Sequence, residues 1–226
     1  MTTLILGNGY TGKRLAKLIP RSKCTELPAL CQDRDLIPFD FNDTRSWNNL
    51  PHFDRAVITF KMTDEARAQE FSLLFKEKKT ILLSSARNLQ NSLADEIISE
   101  RTPLKNCPRA KAESFFEEQA LILYLGLIWG PERMPEKWIS EKRIKNGSKY
   151  INFINVDDLC NIIAHLINGS CKGKLLISDG CPLKWQELAD AKGLKLSSYS
   201  PGPESRRFNT ERLRESLPEN FNFTKP

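Results

Sequence analysis

The sequence predicts an α/β fold, a doubly wound parallel sheet with a small cap toward the carboxyl terminus. Two observations carry this prediction. Short apolar stretches alternate with helical stretches, which is typical of strand–helix–strand units in a parallel sheet. In addition, the chain opens with an apolar run, a turn containing three glycines and a helical stretch. At 226 residues and 40% hydrophobic content, the chain is long enough to bury one sizeable core.

The first part of the chain contains most of the predicted sheet. Short apolar runs predict strands at Thr3–Leu6, Lys23–Glu26, Leu36–Phe41, Ala56–Phe60, Thr80–Ser84 and Leu121–Leu127. Helical periodicity predicts helices at Pro108–Gln119 and at Glu65–Lys78, the latter with Phe71, Leu74 and Phe75 on one side. Parallel strands joined by right-handed crossovers bring their carboxyl ends, and a ligand, to one edge of the sheet.

The composition changes after Gly130-Pro131, where we expect the cap to begin. Its predicted elements are a Lys/Glu-rich helix at Glu136–Lys145, a strand-to-helix step at Tyr150–Ile167, a strand at Lys174–Ser178 and a Pro/Ser-rich segment near Ser200–Ser205. We interpret the whole chain as one domain, with a core at residues 1–130 and a reduced lobe at residues 131–226 interleaved with it.

The turn Gly7-Asn8-Gly9-Tyr10-Thr11-Gly12 has the G-x-G-x-x-G spacing of a dinucleotide-binding turn between a strand and a helix. We expect Gly7 to make the tight turn, Gly9 to let the backbone approach a pyrophosphate, and Gly12 to let the helix pack closely on the strand. The first amides of the helix would then face the anion. The alternative is a turn that needs its glycines only for shape.

Composition argues against several classes of protein. The most apolar segment, Leu121–Trp129, is too short to span a membrane and contains Gly126. No basic region precedes the first apolar run, so we expect no signal peptide and a cytoplasmic protein. Only two histidines accompany six cysteines that form no C-x-x-C pair, which predicts reduced thiols and no metal.

The net charge of +6 does not by itself indicate a nucleic-acid partner. Basic residues alternate with acidic ones, as in Glu132-Arg133, Glu136-Lys137 and Glu141-Lys142-Arg143. This pattern favours a solvated face over a groove that follows phosphates. Nucleic-acid binding by the helix at Glu136–Lys145 would require steeply salt-dependent affinity. We expect a small-molecule partner, no nucleic acid and no membrane.

Several segments carry a second pattern along the chain. They are Phe39–Asp43, Thr80–Ser85, Tyr124–Arg133, Ile151–Leu159, Gly173–Asp179 with Trp185–Ala189, and Arg206–Arg214. Together with the glycine turn, and in this order, they resemble the extended short-chain dehydrogenase/reductase superfamily, in particular its short, atypical NAD(P)-binding members. The resemblance covers the chain nearly end to end. It implies a Rossmann-like fold, NAD or NADP as cofactor, and hydride transfer at the nicotinamide.

The resemblance also implies roles for individual residues. Asp40 matches the acid that reaches the adenine amino group, and Ser84 and Ser85 match a serine pair near the nicotinamide. The predicted cofactor-binding residues are Gly7, Asn8, Gly9, Tyr10, Thr11, Gly12, Asp40, Thr59, Ser84 and Lys111. The segment Ile151–Leu159 resembles the signature I-N-x-I-H-V-D-D-L-A. We expect Asp157 or Asp158 to accept from the first free amides of the following helix, an architectural role.

The chain departs from the family at the catalytic residues. Family members place a tyrosine four residues before a lysine, and here the residue four before Lys111 is Cys107. A thiol of lowered pKa can transfer a proton, and the alternative is a structural cysteine. Ala86 falls where the family has a hydroxyl, with Ser85 one place earlier. The predicted catalytic set is therefore Ser85, Lys111 and Cys107. Alternatively, Lys111 is a solvated partner of Glu113 or of a neighbouring acid.

The sequence is compatible with more than one cofactor, more than one function and more than one oligomeric state. Glu26 at the end of the second strand favours NAD, whereas Arg14, Arg21 or Lys23 would attract the extra phosphate of NADP. One hypothesis is an oxidoreductase or epimerase/dehydratase-like enzyme acting on a small or sugar-nucleotide-like substrate. The other is a cofactor-binding sensor or scaffold without turnover. A homodimer is compatible with the family, and no apolar stripe assigns one.

Overall fold

A computed structural model of the chain describes residues 1–197 and 200–226. Its central sheet has seven strands, which are β1 (Thr3–Leu6), β2 (Ser22–Glu26), β3 (Leu36–Pro38), β4 (Arg55–Ile58), β5 (Lys79–Ser85), β7 (Ala120–Leu125) and β11 (Gly173–Ile177). Their order across the sheet is β11-β7-β5-β4-β1-β2-β3. From β3 through β2, β1 and β4 to β5, each neighbouring pair is parallel. The predicted doubly wound α/β fold is confirmed.

Helices connect the strands, as the alternating pattern predicts. They are α1 (Gly12–Leu18), α2 (Glu65–Ser72), α3 (Pro108–Ser114), α4 (Pro135–Ser140), α5 (Val156–Leu166), α6 (Trp185–Ala191) and α7 (Glu211–Glu215). Within residues 1–197 and 200–226, six further short strands lie outside the central sheet. They are β6 (Glu96–Ile98), β8 (Leu127–Trp129), β9 (Tyr150–Ile151), β10 (Phe153–Asn155), β12 (Leu183–Lys184) and β13 (Arg206–Phe208).

The residues group into two compact units, each made of three chain segments. The first contains Met1–Ser84, Asn106–Leu123 and Cys160–Lys174, and the second contains Ser85–Lys105, Tyr124–Leu159 and Leu175–Pro226. The single domain with a division at residue 130 stays a prediction. No helix in the described part of the chain is long and apolar enough to cross a membrane.

An aromatic cluster forms the centre of the first unit. Phe71 on α2 is fully buried, and rings of Phe39, Phe41, Trp47, Phe60, Phe75 and Phe116 lie within 6.5 Å of its ring. Tilted and edge-to-face pairs of this kind add to the free energy gained from burying the rings. The cluster holds α2 and the loop after β3 in place.

The helix predicted over Glu65–Lys78 is shorter in the structure. α2 ends at Ser72, and a 3-10 turn follows at Leu73–Phe75. The prediction that Leu74 shares the apolar side with Phe71 and Phe75 is wrong, because the tighter turn rotates Leu74 outward and leaves it 41% exposed. The helix predicted over Pro108–Gln119 likewise ends early, at Ser114.

The second unit has its own core around Trp185. The buried residues of this cluster are Trp129, Ile139, Ile151, Phe153, Trp185, Leu188 and Ala189. The helix predicted over Glu136–Lys145 stops at Ser140, and Lys142 beyond it adopts a positive φ of 56°, which a helix does not accommodate. Gly126, between β7 and β8, is required by packing, since a Cβ there would lie 2.2 Å from the backbone oxygen of Asn152.

The start of α5 corrects one prediction from sequence in part. The amide of Asp157 donates to Oδ1 of Asn155 at 2.8 Å, so Asn155 supplies a side-chain cap. Asp158 is buried, and its two carboxylate oxygens accept from the amide and the hydroxyl of Thr224, at 2.7 and 3.2 Å. Asp158 is therefore architectural, as expected, but through the carboxyl-terminal segment.

Candidate functional site

The glycine turn after β1 has the geometry that its spacing predicts. Gly7 adopts a φ of 105°, and a Cβ there would lie 2.6 Å from Oγ1 of Thr59. A Cβ on Gly12 would lie 1.8 Å from the backbone oxygen of Gly7, so only glycine lets α1 start this close to the turn. Gly9 differs from both, because it is exposed and no atom would lie within 4 Å of its Cβ.

Two threonines hold this turn from the neighbouring strands. The amide of Gly7 donates to Oγ1 of Thr25 at 3.0 Å, and Oγ1 of Thr59 donates to the backbone oxygen of Leu6 at 2.9 Å. Thr59 belongs to the predicted site, whereas Thr25 was missed. The signal that could have found Thr25 is its place next to the last residue of β2, beside the turn in a parallel sheet.

The remaining turn residues are packed in different ways. Tyr10 stacks under Arg14, whose Cζ lies 4.1 Å from the centre of the ring and whose Nη1 donates to the backbone oxygen of Tyr10 at 2.8 Å. Thr11 precedes α1 and makes no side-chain capping bond. The first amides of α1 are therefore not taken up by a Thr11 cap, and Asn8 is half-buried beside the turn.

Cys24 is buried behind the turn. Its Sγ is 3.8 Å from the backbone oxygen of Gly7 and 3.8 Å from Oδ1 of Asn8. Burial, reinforced by the charge of Glu26, raises the pKa of the Cys24 thiol to about 11. None of the six cysteines forms a disulfide within residues 1–197 and 200–226. No group of three metal-ligating side chains occurs within residues 1–197 and 200–226.

One edge of the sheet brings several predicted residues together. Because β1, β4 and β5 are parallel neighbours, their carboxyl ends meet at the same edge. This edge carries the glycine turn after β1, Thr59 after β4 and Ser84 near the end of β5. Ser84 is buried and donates through Oγ to Oε2 of Glu113 at 2.5 Å.

The predicted catalytic residues Lys111, Cys107 and Ser85 differ in their surroundings. Lys111 is half-exposed, and its Nζ lies 3.6 Å from Oε1 of Glu65. The acid that Lys111 contacts is on α2 and not on its own helix, where Glu113 pairs with Arg109. Cys107 precedes α3 as its N-cap residue and makes no side-chain capping bond. Ser85 accepts through Oγ from the amide of Arg87 at 3.3 Å. Their catalytic roles stay predictions.

The two acids that the sequence analysis relates to the cofactor, Asp40 and Glu26, each accept from a backbone amide through one carboxylate oxygen. Asp40 accepts through Oδ1 from the amide of Asn42 at 2.8 Å. Glu26 ends β2, next to β1, and accepts through Oε1 from the amide of Leu27 at 2.9 Å. Both are half-buried, and each carboxylate has a second oxygen with capacity to accept. A glycine turn with an acid at the end of the adjacent strand is the arrangement that accommodates a dinucleotide.

Sheet order and edge together define a Rossmann-like α/β protein. Among solved structures, the chain is similar to MoeE5 in complex with UDP-glucose and NAD, with 16% identity, a TM-score of 0.75, and coverage of 100% of this chain and 94% of that one. It is also similar to dTDP-glucose 4,6-dehydratase from Bacillus anthracis str. Ames in complex with NAD. That pair has 14% identity, a TM-score of 0.74, and coverage of 100% and 92%.

A third similar structure is a short-chain dehydrogenase/reductase superfamily protein from Agrobacterium tumefaciens with bound NAD. It has 10% identity, a TM-score of 0.76, and coverage of 100% of this chain and 93% of that one. No protein-family model and no curated protein matches the chain. At these identities the likeness establishes the fold, so function has to be argued from the site.

Proposed function

We propose that this protein binds NAD at the turn Gly7–Gly12 and is an oxidoreductase or epimerase/dehydratase-like enzyme of the atypical extended short-chain dehydrogenase branch. The observation that carries the proposal is the contrast between the three glycines. Gly7 and Gly12 are required by the fold, whereas Gly9 is exposed and has open space around it. A glycine in open space is explained by a ligand that approaches the backbone there.

Different residues have different roles in the proposed binding of NAD. Thr25 and Thr59 fix the turn, and Glu26 is the group for the hydroxyls of the adenosine ribose. Bound NAD would supply a hydride acceptor at its nicotinamide. NAD is preferred over NADP, because the carboxylate of Glu26 repels an added phosphate at the end of β2.

Two of the similar structures support a proposal for the substrate class. One similar structure contains UDP-glucose, and another is a dehydratase of dTDP-glucose. We propose a small or sugar-nucleotide-like substrate. Lys111 is a proposed hydrogen-bonding group for the reacting end.

A fluorescence titration with NADH and NADPH tests cofactor binding. The variant Gly9→Asp should lose at least about tenfold in affinity, since a carboxylate would meet the pyrophosphate. The control Gly9→Lys introduces a side chain that is larger than that of aspartate and carries the opposite charge. If it weakens binding less than Gly9→Asp does, the ligand at this position is anionic. Equal NADH affinity in folded wild type and Gly9→Asp would contradict the proposal.

A second candidate function is a cofactor-binding sensor or scaffold. It is favoured by Cys107 at the position of the family's tyrosine and by the contact of Lys111 with Glu65 rather than with a buried partner. This function predicts saturable binding of NADH without its oxidation by a panel of carbonyl compounds and nucleotide sugars. If the wild-type protein turns over substrate and Lys111→Ala does not, at an unchanged melting temperature, the enzyme is supported over the sensor or scaffold.

A further inference from the structure

Arg109 lies in the first turn of α3 and reaches the end of β5. Its Nε donates to Oε1 of Glu113 at 2.6 Å, and its Nη2 donates to the backbone oxygen of Leu83 at 3.1 Å. Two bonds from one rigid planar group fix the orientation of the guanidinium. The sequence pattern predicted no role for this residue.

Its carboxylate partner is deeply buried. The side chain of Glu113 is 1% exposed, and its second oxygen accepts from Oγ of Ser84 at 2.5 Å. A buried carboxylate is costly unless it is paired and hydrogen-bonded, and Arg109 and Ser84 supply both. Ser84, Glu113 and Arg109 therefore form one connected group that ties β5 to α3.

The guanidinium retains donor capacity toward solvent. Its side chain is 20% exposed, and no hydrogen bond of Nη1 is found within residues 1–197 and 200–226. Leu83, to which Nη2 donates, is among the last three residues of β5. Arg109 is therefore a fixed cation near the carboxyl edge of the sheet, the edge at which this fold binds ligands.

Strand order indicates which part of a dinucleotide this cation meets. A Rossmann-like sheet binds the two mononucleotide halves on opposite sides of the point where the strand order reverses. Here β2 and β3 lie on one side of β1, and β4 and β5 lie on the other. If adenosine binds on the side of β2, groups at the end of β5 meet the nicotinamide half.

Lys111, the cation assigned to that half from sequence, has a different environment. Its side chain is 51% exposed, and its nearest charged partner is Glu65 at 3.6 Å, which is itself 49% exposed. An exposed pair of long side chains is weakly held. Arg109, two residues earlier, is both more buried and better oriented.

We propose that Arg109, and not Lys111, is the cation that binds the nicotinamide ribose, with Glu113 and Ser84 as the positioning residues that hold its guanidinium. This inference rests on the proposed binding of NAD. A guanidinium donates hydrogen bonds and accepts none, so the proposed role of Arg109 is to bind and orient the ribose through its N–H groups.

Titration of purified full-length protein with NADH, ADP-ribose and ADP tests the inference. ADP-ribose contains the second ribose, and ADP lacks it. We expect Arg109→Ala to lose about 10- to 100-fold in affinity for NADH and ADP-ribose and less than about twofold for ADP. Arg109→Lys keeps the charge without the fork and should recover part of that loss. The control Lys76→Ala, which removes one exposed cation from the same unit, should leave all three affinities within about twofold.

The possible results separate this inference from the cofactor proposal. Equal losses for ADP and ADP-ribose in Arg109→Ala would overturn it, as would a selective loss of ADP-ribose in Lys111→Ala alone. If Arg109→Ala does not fold, Arg109→Lys and Glu113→Gln carry the test, with a selective loss of ADP-ribose expected in both. Wild type that binds none of the three ligands would overturn cofactor binding itself, whereas binding with no selectivity in any Arg109 variant overturns only the role of Arg109.

Discussion

Gly7 and Thr59 are matched to each other across β1 and β4. Oγ1 of Thr59 donates to the backbone oxygen of Leu6 at 2.9 Å, and it lies 3.2 Å from that of Gly7. The same oxygen would lie 2.6 Å from a Cβ on Gly7. A threonine here can reach the turn only because position 7 has no side chain. The pair therefore fixes the turn from the neighbouring strand.

The contrast between Gly7 and Gly9 gives a first prediction. Gly7→Ala should lower the free energy of unfolding by about 2 kcal/mol, from its positive φ and its contact with Thr59. Gly9→Ala should change it by less than about 0.5 kcal/mol, because its Cβ enters open space. Urea unfolding measures both. A larger loss in Gly9→Ala than in Gly7→Ala would show that the turn is held differently.

Glu26 gives a prediction about cofactor preference. Glu26→Gln keeps the size of the side chain and removes the charge that repels the phosphate of NADP. We expect affinity for NADPH to rise about tenfold relative to NADH, read from paired fluorescence titrations. Asp33→Asn, an exposed acid in the same unit, is the control and should leave the ratio unchanged. An unchanged ratio in Glu26→Gln would remove Glu26 from the ribose site.

Cys24 gives a prediction about pH. Its pKa is raised from 9.0 to about 11 in the folded protein, so the unfolded state loses this proton first as pH rises. The contribution of Cys24 to stability is therefore intact below pH 9 and lost as pH approaches 11. Cys24→Ala should show a smaller fall in the free energy of unfolding over this range, measured by urea unfolding. An identical fall in both proteins would contradict the raised pKa.

The same thiol should also be protected from alkylation. At pH 8.5, iodoacetamide should modify Cys24 at least about tenfold more slowly than the exposed Cys181, because the thiolate is the reacting species. Peptide mass spectrometry over a time course gives both rates within one sample. Equal rates in the folded protein would mean that Cys24 is accessible and its thiolate populated.

Asp158 gives a prediction about the carboxyl-terminal segment. Asp158→Asn should lower the free energy of unfolding by about 1–2 kcal/mol, because an NH2 group replaces one of the two oxygens that accept from Thr224. Chymotrypsin should then cleave after Phe221 and Phe223 faster than in wild type. Thr224→Ala, which keeps the amide donor and removes only the hydroxyl, should have a smaller effect. Cleavage rates equal to wild type in Asp158→Asn would show that this contact does not hold the segment.

Much of the sheet follows from sequence because its strands are short, apolar and regularly spaced. The predicted strand at Thr3–Leu6 has the observed bounds, and that at Thr80–Ser84 is one residue short at each end. The glycine turn was predictable because its G-x-G-x-x-G spacing lies between a strand and a helix, and Gly7 and Gly12 each meet a local steric demand. Helix ends were predicted less well, since the 3-10 turn at Leu73–Phe75 depends on packing around Phe71.

The group around Glu113 could not be predicted from the pattern. A sequence shows that Arg109 and Lys111 both lie near Glu113 on one short helix, but only the rotation of α3 against β5 decides which cation faces inward. The buried state of Glu113 is likewise a tertiary property, because acids on such a helix are usually solvated. Thr25 was missed for the same reason, as its role depends on the register between β1 and β2.

The outward position of Lys111 limits how a proton donor can be engineered into this scaffold. Replacing Cys107 with tyrosine would place a phenol four residues before Lys111, yet the amine of Lys111 lies beside Glu65 and its side chain is half exposed. Such an amine does little to acidify a phenol. A redesign would instead place the tyrosine four residues before Arg109, at the position of Lys105, and would replace Arg109 with lysine.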